Sequence, residues 1–409
     1  MKKNKIAIFG MGYVGLPLAV EFGKKYNTIG YDINQVRVNG LKKGYDSTKE
    51  FSKNYICSAK KLKVTSEISH LSGSTIFIIT VPTPIYRNKK PDFRNLINAT
   101  KKISRIIKKN SIVIYESTVY PGLTEEICIP IIEKETKLKA NRDFYYGYSP
   151  ERINPGDKKH QLKSIKKIVS GSNKFAEKFI AKLYNSIILK GVHVAPSVKI
   201  AEAAKVIENI QRDINVGFTN ELFKIFQKMN LNTYDILAAA NTKWNFLDFK
   251  PGLVGGHCIG VDPYYLLYKS SKINFKPDLI TAGRKINDGM GLYFSKLIQK
   301  DIKIKFKNKK IKIVIFGYTF KENCSDIRNT KVQDIYKYFC KKNHTVHVYD
   351  PWINHDLKNV KLMKKLKKKY YDCIIIAVGH KYFLKLGKKK VLSYGKKENI
   401  FYDIKNIFK

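Results

Sequence analysis

The chain has 409 residues, 44% of them apolar, and its 78 basic and 33 acidic side chains leave a net charge of +45. That length exceeds one compact core and predicts two or three domains, while the apolar fraction excludes wholesale disorder. Nowhere does an apolar run reach the roughly 18 residues of a membrane span, and the basic start runs directly into a strand pattern at Ile6 without a leader-like segment. A cytoplasmic protein with no membrane insertion is therefore expected.

So large a positive charge raises the possibility of a nucleic-acid partner, but only nine of the 78 basic residues are arginine. Readers of phosphate and base edges favour the planar arginine fork over the lysine point charge, so no nucleic-acid partner is expected. A positive field can still draw in a small anionic substrate. The six cysteines are scattered without a C-x-x-C pair, and no metal site is expected.

In chain order, Lys5–Phe9 reads as a strand, Val14–Lys25 as a helix and Thr28–Tyr31 as the next strand. Strands at Thr75–Thr80, Ser111–Tyr115 and Phe144–Tyr148 follow, separated by helical patterns at Asn95–Lys108 and Gly122–Thr136. Strands alternating with helices of this length predict a doubly wound parallel sheet. From about Pro196 the texture changes. Ser197–Met229 repeats apolar residues at helical spacing and predicts one long helix or a closely joined pair, with shorter helices at Tyr234–Ala240 and Pro277–Ile286. A lysine-rich linker near Lys305–Lys310 then leads to strands at Ile311–Phe316, Thr345–Tyr349 and Cys373–Val378, with a helix at Val332–Lys341.

The expected fold is thus α/β: two Rossmann-like doubly wound domains joined by a central helical domain with one long helix. The boundaries fall at 1–195, 196–304 and 305–409, the middle domain carrying a cysteine loop.

Gly10-Met11-Gly12-Tyr13-Val14-Gly15 is a G-x-G-x-x-G between a strand and a helix. Gly10 permits the tight turn, Gly12 lets the backbone approach a pyrophosphate, and Gly15 allows close packing of helix on strand. The helix N-terminus adds free N–H donors for the phosphates. Asp32 closes the second strand, where a carboxylate holds both ribose hydroxyls and repels a 2′-phosphate, so NAD is favoured over NADP. Arg37 stands close enough in sequence to accept that phosphate instead.

Cys258 lies in Gly255-Gly256-His257-Cys258-Ile259-Gly260-Val261-Asp262, among glycines that offer permissive, approachable backbone. On this stretch alone, a reactive thiol and a plain loop cysteine both remain open. Within the long helix, Glu202, Lys205, Asn209 and Arg212 share one face, distinct from the stripe Ile207, Ile210 and Ile214. Such a polar face is ordinarily solvated. Here the exposed faces are filled by lysine, whereas this one carries a carboxylate, an amide and one of the few arginines.

With these residues in place, the chain resembles the UDP-glucose/UDP-N-acetylhexosamine 6-dehydrogenases over essentially its whole length. The resemblance rests on the glycine fingerprint, Val81-Pro82-Thr83-Pro84, Glu116–Gly122, Ser149–Gly156, the helix Ala201–Glu221, the Cys258 loop and Gly317–Arg328. Leu253–Leu266 and Phe320–Cys324 look closest to members acting on UDP-N-acetylglucosamine or UDP-N-acetylgalactosamine. Lys243-Trp244 and Asp248 depart from the family pattern, where arginine and proline are usual.

The resemblance implies a four-electron oxidation of a sugar C6 hydroxymethyl to the carboxylate, with NAD as acceptor and a surface polysaccharide as destination. In it Lys205 with a bound water helps remove the hydroxyl proton, and Cys258 forms a thiohemiacetal and then a thioester. Asn209 steadies the oxyanion, and Asp262, Thr118 and Glu151 position the hydrolytic water. Gly10, Gly12, Tyr13, Val14, Asp32, Arg37, Thr83, Thr118 and Arg328 are the implied cofactor contacts. The UDP-sugar contacts are Glu151, Arg152, Ile153, Lys205, Asn209, Leu247, Phe249, Pro251, Gly252, Gly255, Arg284 and Lys321. Arg284 either reaches a neighbouring subunit's site or sits on a helix surface, and a homodimer or higher homo-oligomer is expected. The rival readings are a 6-dehydrogenase of UDP-glucose or UDP-ManNAc, a simple two-electron dehydrogenase that needs no cysteine, and a basic nucleic-acid binder with a vestigial nucleotide fold.

Overall fold

The computed structural model describes residues 5–48, 50–153, 161–307 and 309–408. Asn154, Pro155 and Gly156 of the predicted motif lie outside them. The chain divides into two compact units, Met1–Glu208 with Tyr264–Phe275, and Asn209–Pro263 with Lys276–Lys409.

The first unit is built on an eight-stranded sheet. Its strands are β1 (Lys5–Phe9), β2 (Asn27–Tyr31), β3 (Leu62–Thr65), β4 (Ile76–Ile79), β5 (Ser111–Tyr115), β6 (Phe144–Tyr148), β7 (Lys167–Gly171) and β8 (Val192–Val194), in the spatial order β3-β2-β1-β4-β5-β6-β7-β8. All pairs are parallel except β6 with β7. Central strands read as unbroken apolar runs such as Ile-Phe-Ile-Ile because helices cover both faces of a parallel sheet. Helix Gly15–Gly23 is buried along its whole length, with Leu16, Leu18, Val20 and Phe22 in the core that also holds Ile6, Ile8 and Ile78.

The second unit carries a four-stranded parallel sheet of β9 (Lys312–Phe316), β10 (Thr345–Tyr349), β11 (Tyr371–Ile376) and β12 (Gly395–Asp403), ordered β10-β9-β11-β12. In both sheets the strand order reverses beside the first strand, at β1/β4 and at β9/β11. That reversal opens the crevice in which doubly wound sheets bind ligands.

The long helix is continuous from Val198 to Lys228. Its polar face is the buried one. Glu202, Lys205, Asn209, Asp213 and Asn220 are all buried, whereas Ile207 and Phe218 are more than half exposed. The solvated face that amphipathic logic assigns to polar residues is inverted, because those residues find charged and amide partners inside the fold.

A second long helix, Asp278–Phe306, runs 20 residues beyond the predicted end at Ile286 and takes in the start of the predicted linker. Gly289 and Gly291 break the sequence pattern, but Met290, Phe294, Ile298 and Ile302 keep a four-residue spacing into the core, and packing overrides the glycines. The region predicted as helix Gly122–Thr136 is a π-turn at Thr124–Cys128 followed by helix Ile129–Thr136. No helix among the described residues is long and apolar enough to cross a membrane.

Candidate active site

The glycine loop leaves β1 at Gly10, whose φ of +96° demands glycine. A Cβ on Gly15 would overlap the Gly10 carbonyl and Thr80 Oγ1, while one on Gly12 would meet nothing within 4 Å, so Gly12 is the open point of the loop. Tyr13 and Val14 are half-buried beside it. Asp32 Oδ2 accepts the Met11 N–H at 2.8 Å and Oδ1 accepts that of Asn34 at 2.9 Å, so one carboxylate fastens the loop to the end of β2.

Arg37 is buried behind the loop. Its Nε donates to the Met11 carbonyl at 2.9 Å, and Nη1 donates to Asp46 at 2.6 Å and to Ser47 at 2.9 Å. A guanidinium engaged in this way braces the turn from within. Between β4 and β5, Thr83 Oγ1 donates to the Thr118 carbonyl at 2.8 Å, and the Tyr265 hydroxyl donates to the Thr83 carbonyl. An open glycine at a helix start, with an acid closing the adjacent strand, fits a dinucleotide.

Behind β5 and β6 lies a buried charge cluster. Lys167, fully buried, donates to Glu116 at 2.7 Å and Glu151 at 2.9 Å, and the Tyr184 hydroxyl donates to Glu116. One ammonium faces two carboxylates, and burial pushes Glu116 up to about 7 despite Lys167. Glu151 Oε1 also accepts the N–H groups of Arg152 and Ile153 at 2.6 and 2.7 Å, fixing the turn that carries them. Arg152 reaches Glu208 at 2.8 Å. Nearby, the Glu202 carboxylate accepts from Gly122 N, Thr124 N and Thr124 Oγ1 at 2.5 to 3.1 Å, and Lys205 is buried one turn further along the helix.

In the second unit the space over the first two glycines of the cysteine loop is occupied rather than open. A Cβ on Gly255 would stand 2.8 Å from the Asn329 carbonyl, and one on Gly256, with φ +82°, would stand 2.6 Å from the Phe320 ring. Cys258 is half-buried, and its carbonyl accepts the N–H groups of Val261 and Asp262 at 2.9 and 2.8 Å. Asp262 accepts from Asn209 Nδ2, whose own oxygen accepts from Arg212, so three of the expected residues form one hydrogen-bonded chain.

His257 and Asp326 have no role among the residues expected from the sequence. His257 Nδ1 stands 3.4 Å from Asp326 Oδ2 and 2.9 Å from Arg328 Nη2. Burial opposes a charge on the imidazole, but hydrogen bonds to Asp326 and Cys258 outweigh it and push His257 up to about 9. Asp326 is held well below the usual carboxylate range: burial works against its charge, and the bonds from His257 and Arg328 prevail. A histidine directly before a cysteine was the available signal. Asp326 lies 68 positions further on, and only the fold places it there.

The β9/β11 crevice holds a cleft of about 400 Å³ lined by Leu253, Thr319, Phe320, Lys321, Lys331 and Lys405, among others. Three ammonium groups against the single carboxylate of Glu322 suit a polyanion. Beside it, Asn220 exchanges two hydrogen bonds with the Gly252 backbone at 2.8 and 3.1 Å, and Pro251 is buried while Leu247 is exposed. Phe249 donates its N–H to the Leu247 carbonyl at 2.8 Å. Arg284, only 3% exposed, is not a surface arginine; it is clamped by Asp213 and Asp288, each at 2.6 Å.

A dinucleotide-type sheet, a lysine-lined crevice on a second such sheet and a cysteine loop together define a nucleotide-sugar dehydrogenase. Comparison with known proteins agrees. Residues 4–188, 199–289 and 314–409 match, in turn, the NAD binding, central and UDP binding domains of the UDP-glucose/GDP-mannose dehydrogenase family. The chain is 49% identical to UDP-N-acetyl-D-glucosamine 6-dehydrogenase of Pseudomonas aeruginosa, over 99% of its own length and 97% of the relative's. Protein CapL of Staphylococcus aureus is 45% identical over 100% and 96%. Among solved structures, the UDP-D-ManNAc dehydrogenase of Pyrococcus horikoshii superposes with a TM-score of 0.90 at 30% identity, covering 99% of this chain and 96% of that one. The chain belongs to the UDP-glucose/GDP-mannose dehydrogenase family and is an NAD-dependent nucleotide-sugar 6-dehydrogenase.

Proposed function

We propose that this enzyme oxidises the C6 hydroxymethyl of a UDP-N-acetylhexosamine, UDP-GlcNAc or UDP-GalNAc, to the uronic acid through a covalent bond to Cys258. The observation that carries the reading is the half-buried Cys258 in a loop whose backbone turns directly onto the Asp262–Asn209–Arg212 chain. This arrangement occurs in a chain 49% identical to a UDP-N-acetyl-D-glucosamine 6-dehydrogenase.

NAD, when bound, takes a hydride in each of two oxidations. The first leaves an aldehyde, and Lys205 is assigned the removal of the hydroxyl proton through a water. Cys258 adds to the aldehyde carbon, and its proton passes to the new hydroxyl oxygen. The tethered carbon keeps its hydrogen for the second oxidation, whereas a free aldehyde would have to be hydrated or lost. The resulting thioester is cleaved by water, which returns the thiol and releases the carboxylate. Two NAD and one water are consumed per sugar, and two NADH and three protons are formed. Asn209 steadies the oxyanion, and Asp262, Thr118 and Glu151 position the hydrolytic water.

Lys321 is assigned to the diphosphate, with Thr83 and Arg328 on the cofactor. The three-way division at 195 and 304, a cytoplasmic location and a role in surface polysaccharide synthesis belong to the same proposal. So does a homodimer or higher homo-oligomer, supported by Phe218 and Ile225, which share one face of the long helix and are 53% and 46% exposed, and by Met229 just past its end, 57% exposed.

The test is NADH yield per sugar over a panel of UDP-hexoses. The expected result is two NADH per molecule of UDP-GlcNAc or UDP-GalNAc. A ratio of one removes the covalent route, and turnover confined to UDP-glucose or UDP-ManNAc removes the substrate assignment.

A further inference from the structure

We infer that His380 is a positioning residue for the UDP-sugar: from behind, it fixes the loop after β9 that brings Lys321 to the β9/β11 cleft. The inference rests on the assignment of Lys321 to the diphosphate, and it names the group that holds that lysine in place.

The two sheets begin their crevices in the same way. The first strand of each ends at a glycine of positive φ, Gly10 at +96° and Gly317 at +87°, and the second strand of each is closed by an aspartate, Asp32 after β2 and Asp350 after β10. The aspartates differ in what surrounds them. Asp32 accepts two N–H groups and is half-buried, so one side of its carboxylate stays open to a ribose. Asp350 is buried and filled. Its Oδ2 accepts Tyr318 N at 2.7 Å and Thr319 N at 3.1 Å, Oδ1 accepts Trp352 N at 2.9 Å, and His380 Nε2 stands 3.2 Å from Oδ2. Burial works against a charge on Asp350, yet the bond from His380 and those from the loop hold its carboxyl below the ordinary range. An acid enclosed in this way secures its loop and offers nothing to a ribose. The second crevice must take its ligand through the side chains the loop carries.

His380 stands just past β11, where the Ala377 N–H donates to the Phe316 carbonyl at 2.9 Å and draws that turn against the end of β9. The imidazole is fully buried, with the Phe383 ring edge-on to it at 5.3 Å between centroids. Nδ1 accepts the Asn323 N–H at 2.9 Å, which assigns the ring proton to Nε2. Nε2 lies 3.2 Å from both Asp350 Oδ2 and Thr319 Oγ1, and that hydroxyl donates in turn to the Lys321 carbonyl at 2.9 Å. One ring therefore holds the loop at Thr319 and again at Asn323, with Lys321 midway between. Asn323, at φ +56°, is tied a second time where its Oδ1 accepts the Lys381 N–H at 3.0 Å. Thr319, Phe320, Lys321 and Glu322 form one wall of the cleft. A lysine is a point charge on a long, flexible stem, so the backbone beneath it must be fixed if binding is not to spend affinity on ordering it.

The test is the binding of UDP and of NAD, each alone, to the intact enzyme by isothermal titration calorimetry. Lys321→Ala is expected to weaken UDP roughly tenfold or more, as loss of a charged hydrogen bond does. His380→Ala is expected to weaken UDP to a similar extent and to leave the Kd for NAD within about twofold of wild type. In a Lys321→Ala background the same change is expected to add less than about twofold, because no ammonium is left to aim. Thr319→Val keeps the imidazole but cuts the bond to the Lys321 carbonyl, and is expected to weaken UDP several-fold. Thr319→Ser keeps the hydroxyl and should bind UDP as wild type does. The Thr319 pair gives the reading should His380→Ala fail to fold.

Unchanged UDP affinity in His380→Ala, or in Thr319→Val where the histidine variant is unfolded, overturns the inference. So does equal weakening of UDP and NAD, the mark of a general loss of structure, and so does a full additional loss on top of Lys321→Ala, the mark of action through some other contact. Wild-type affinity in Lys321→Ala removes the lysine's own assignment and this inference with it. Weakening in Lys321→Ala but in neither the His380 nor the Thr319 variant removes the inference alone.

Discussion

Glu202 has three hydrogen-bond donors on its carboxylate, yet burial, the largest influence, pushes it up to about 7. A folded-state value above the unfolded 4.5 means that the folded protein holds this proton more tightly. The linked stability is fully present below about pH 4.5 and is lost as pH rises towards 7, by on the order of 3 kcal/mol. Glu116 adds to the same slope. Urea unfolding of Glu202→Gln at pH 5 and pH 7 should show a smaller fall than wild type, and an unchanged fall would refute the linkage. At Gly256 an alanine meets both the φ of +82° and the Phe320 ring, so Gly256→Ala should lower stability by about 1–3 kcal/mol, visible as a lower Tm. Cys258→Ala should reduce carboxylate formation on the order of 10³-fold or more. NAD should still raise its Tm, because the glycine loop, Asp32 and Arg37 are untouched.

The long helix Val198–Lys228 carries its chemistry on a buried polar stripe, and what each residue does depends on the element that faces it. Asn220 shows this clearly. Its amide closes two hydrogen bonds on Gly252 and another to Asn287 at 2.8 Å, pinning the segment that follows Leu247. Asn220→Ala leaves those buried groups unpaired, so it should cost about 1–3 kcal/mol and raise KM for the UDP-sugar while leaving KM for NAD near its wild-type value. Equal rises in both constants would point to general unfolding instead. Periodicity located this helix to within a residue at either end. Polarity alone ranks that stripe as solvated, and only its amide, carboxylate and arginine spoke for a site; a helical wheel has no knowledge of Arg284 or Asn287 on the helix Asp278–Phe306, which face it.

Across the whole molecule the charge of +45 is spread over lysines, three of which line the β9/β11 crevice. An anionic UDP-sugar should then be gathered by a field that salt screens, with a Debye length of about 10 Å at 0.1 M. Its kcat/KM should fall several-fold between about 20 and 300 mM NaCl while kcat holds, and a flat kcat/KM would exclude steering. Much of the two-sheet design was legible in advance. Alternating strands and helices announced both sheets, and β5, β6 and β10 match their predicted ranges. The strands β7 and β8 and the helix Lys174–Asn185 between them went unread, since Lys167 opens β7 and a lysine there marks a surface position until Glu116 and Glu151 are seen beside it.

The division between the two sources of information follows from range. The order of residues by itself determined what local physics controls: the glycine turn after β1, the acid closing β2, the helical spacing of Glu202, Lys205 and Asn209, and the cysteine in its glycine loop. Tertiary structure alone decided which groups meet. It set Asp326 against His257, buried Arg284 between two aspartates, filled the space over Gly256 with Phe320, and turned a polar helix face inward. Those outcomes depend on desolvation and on partners far apart in the chain: Asp326 for His257, Asp213 for Arg284 and Phe320 for Gly256.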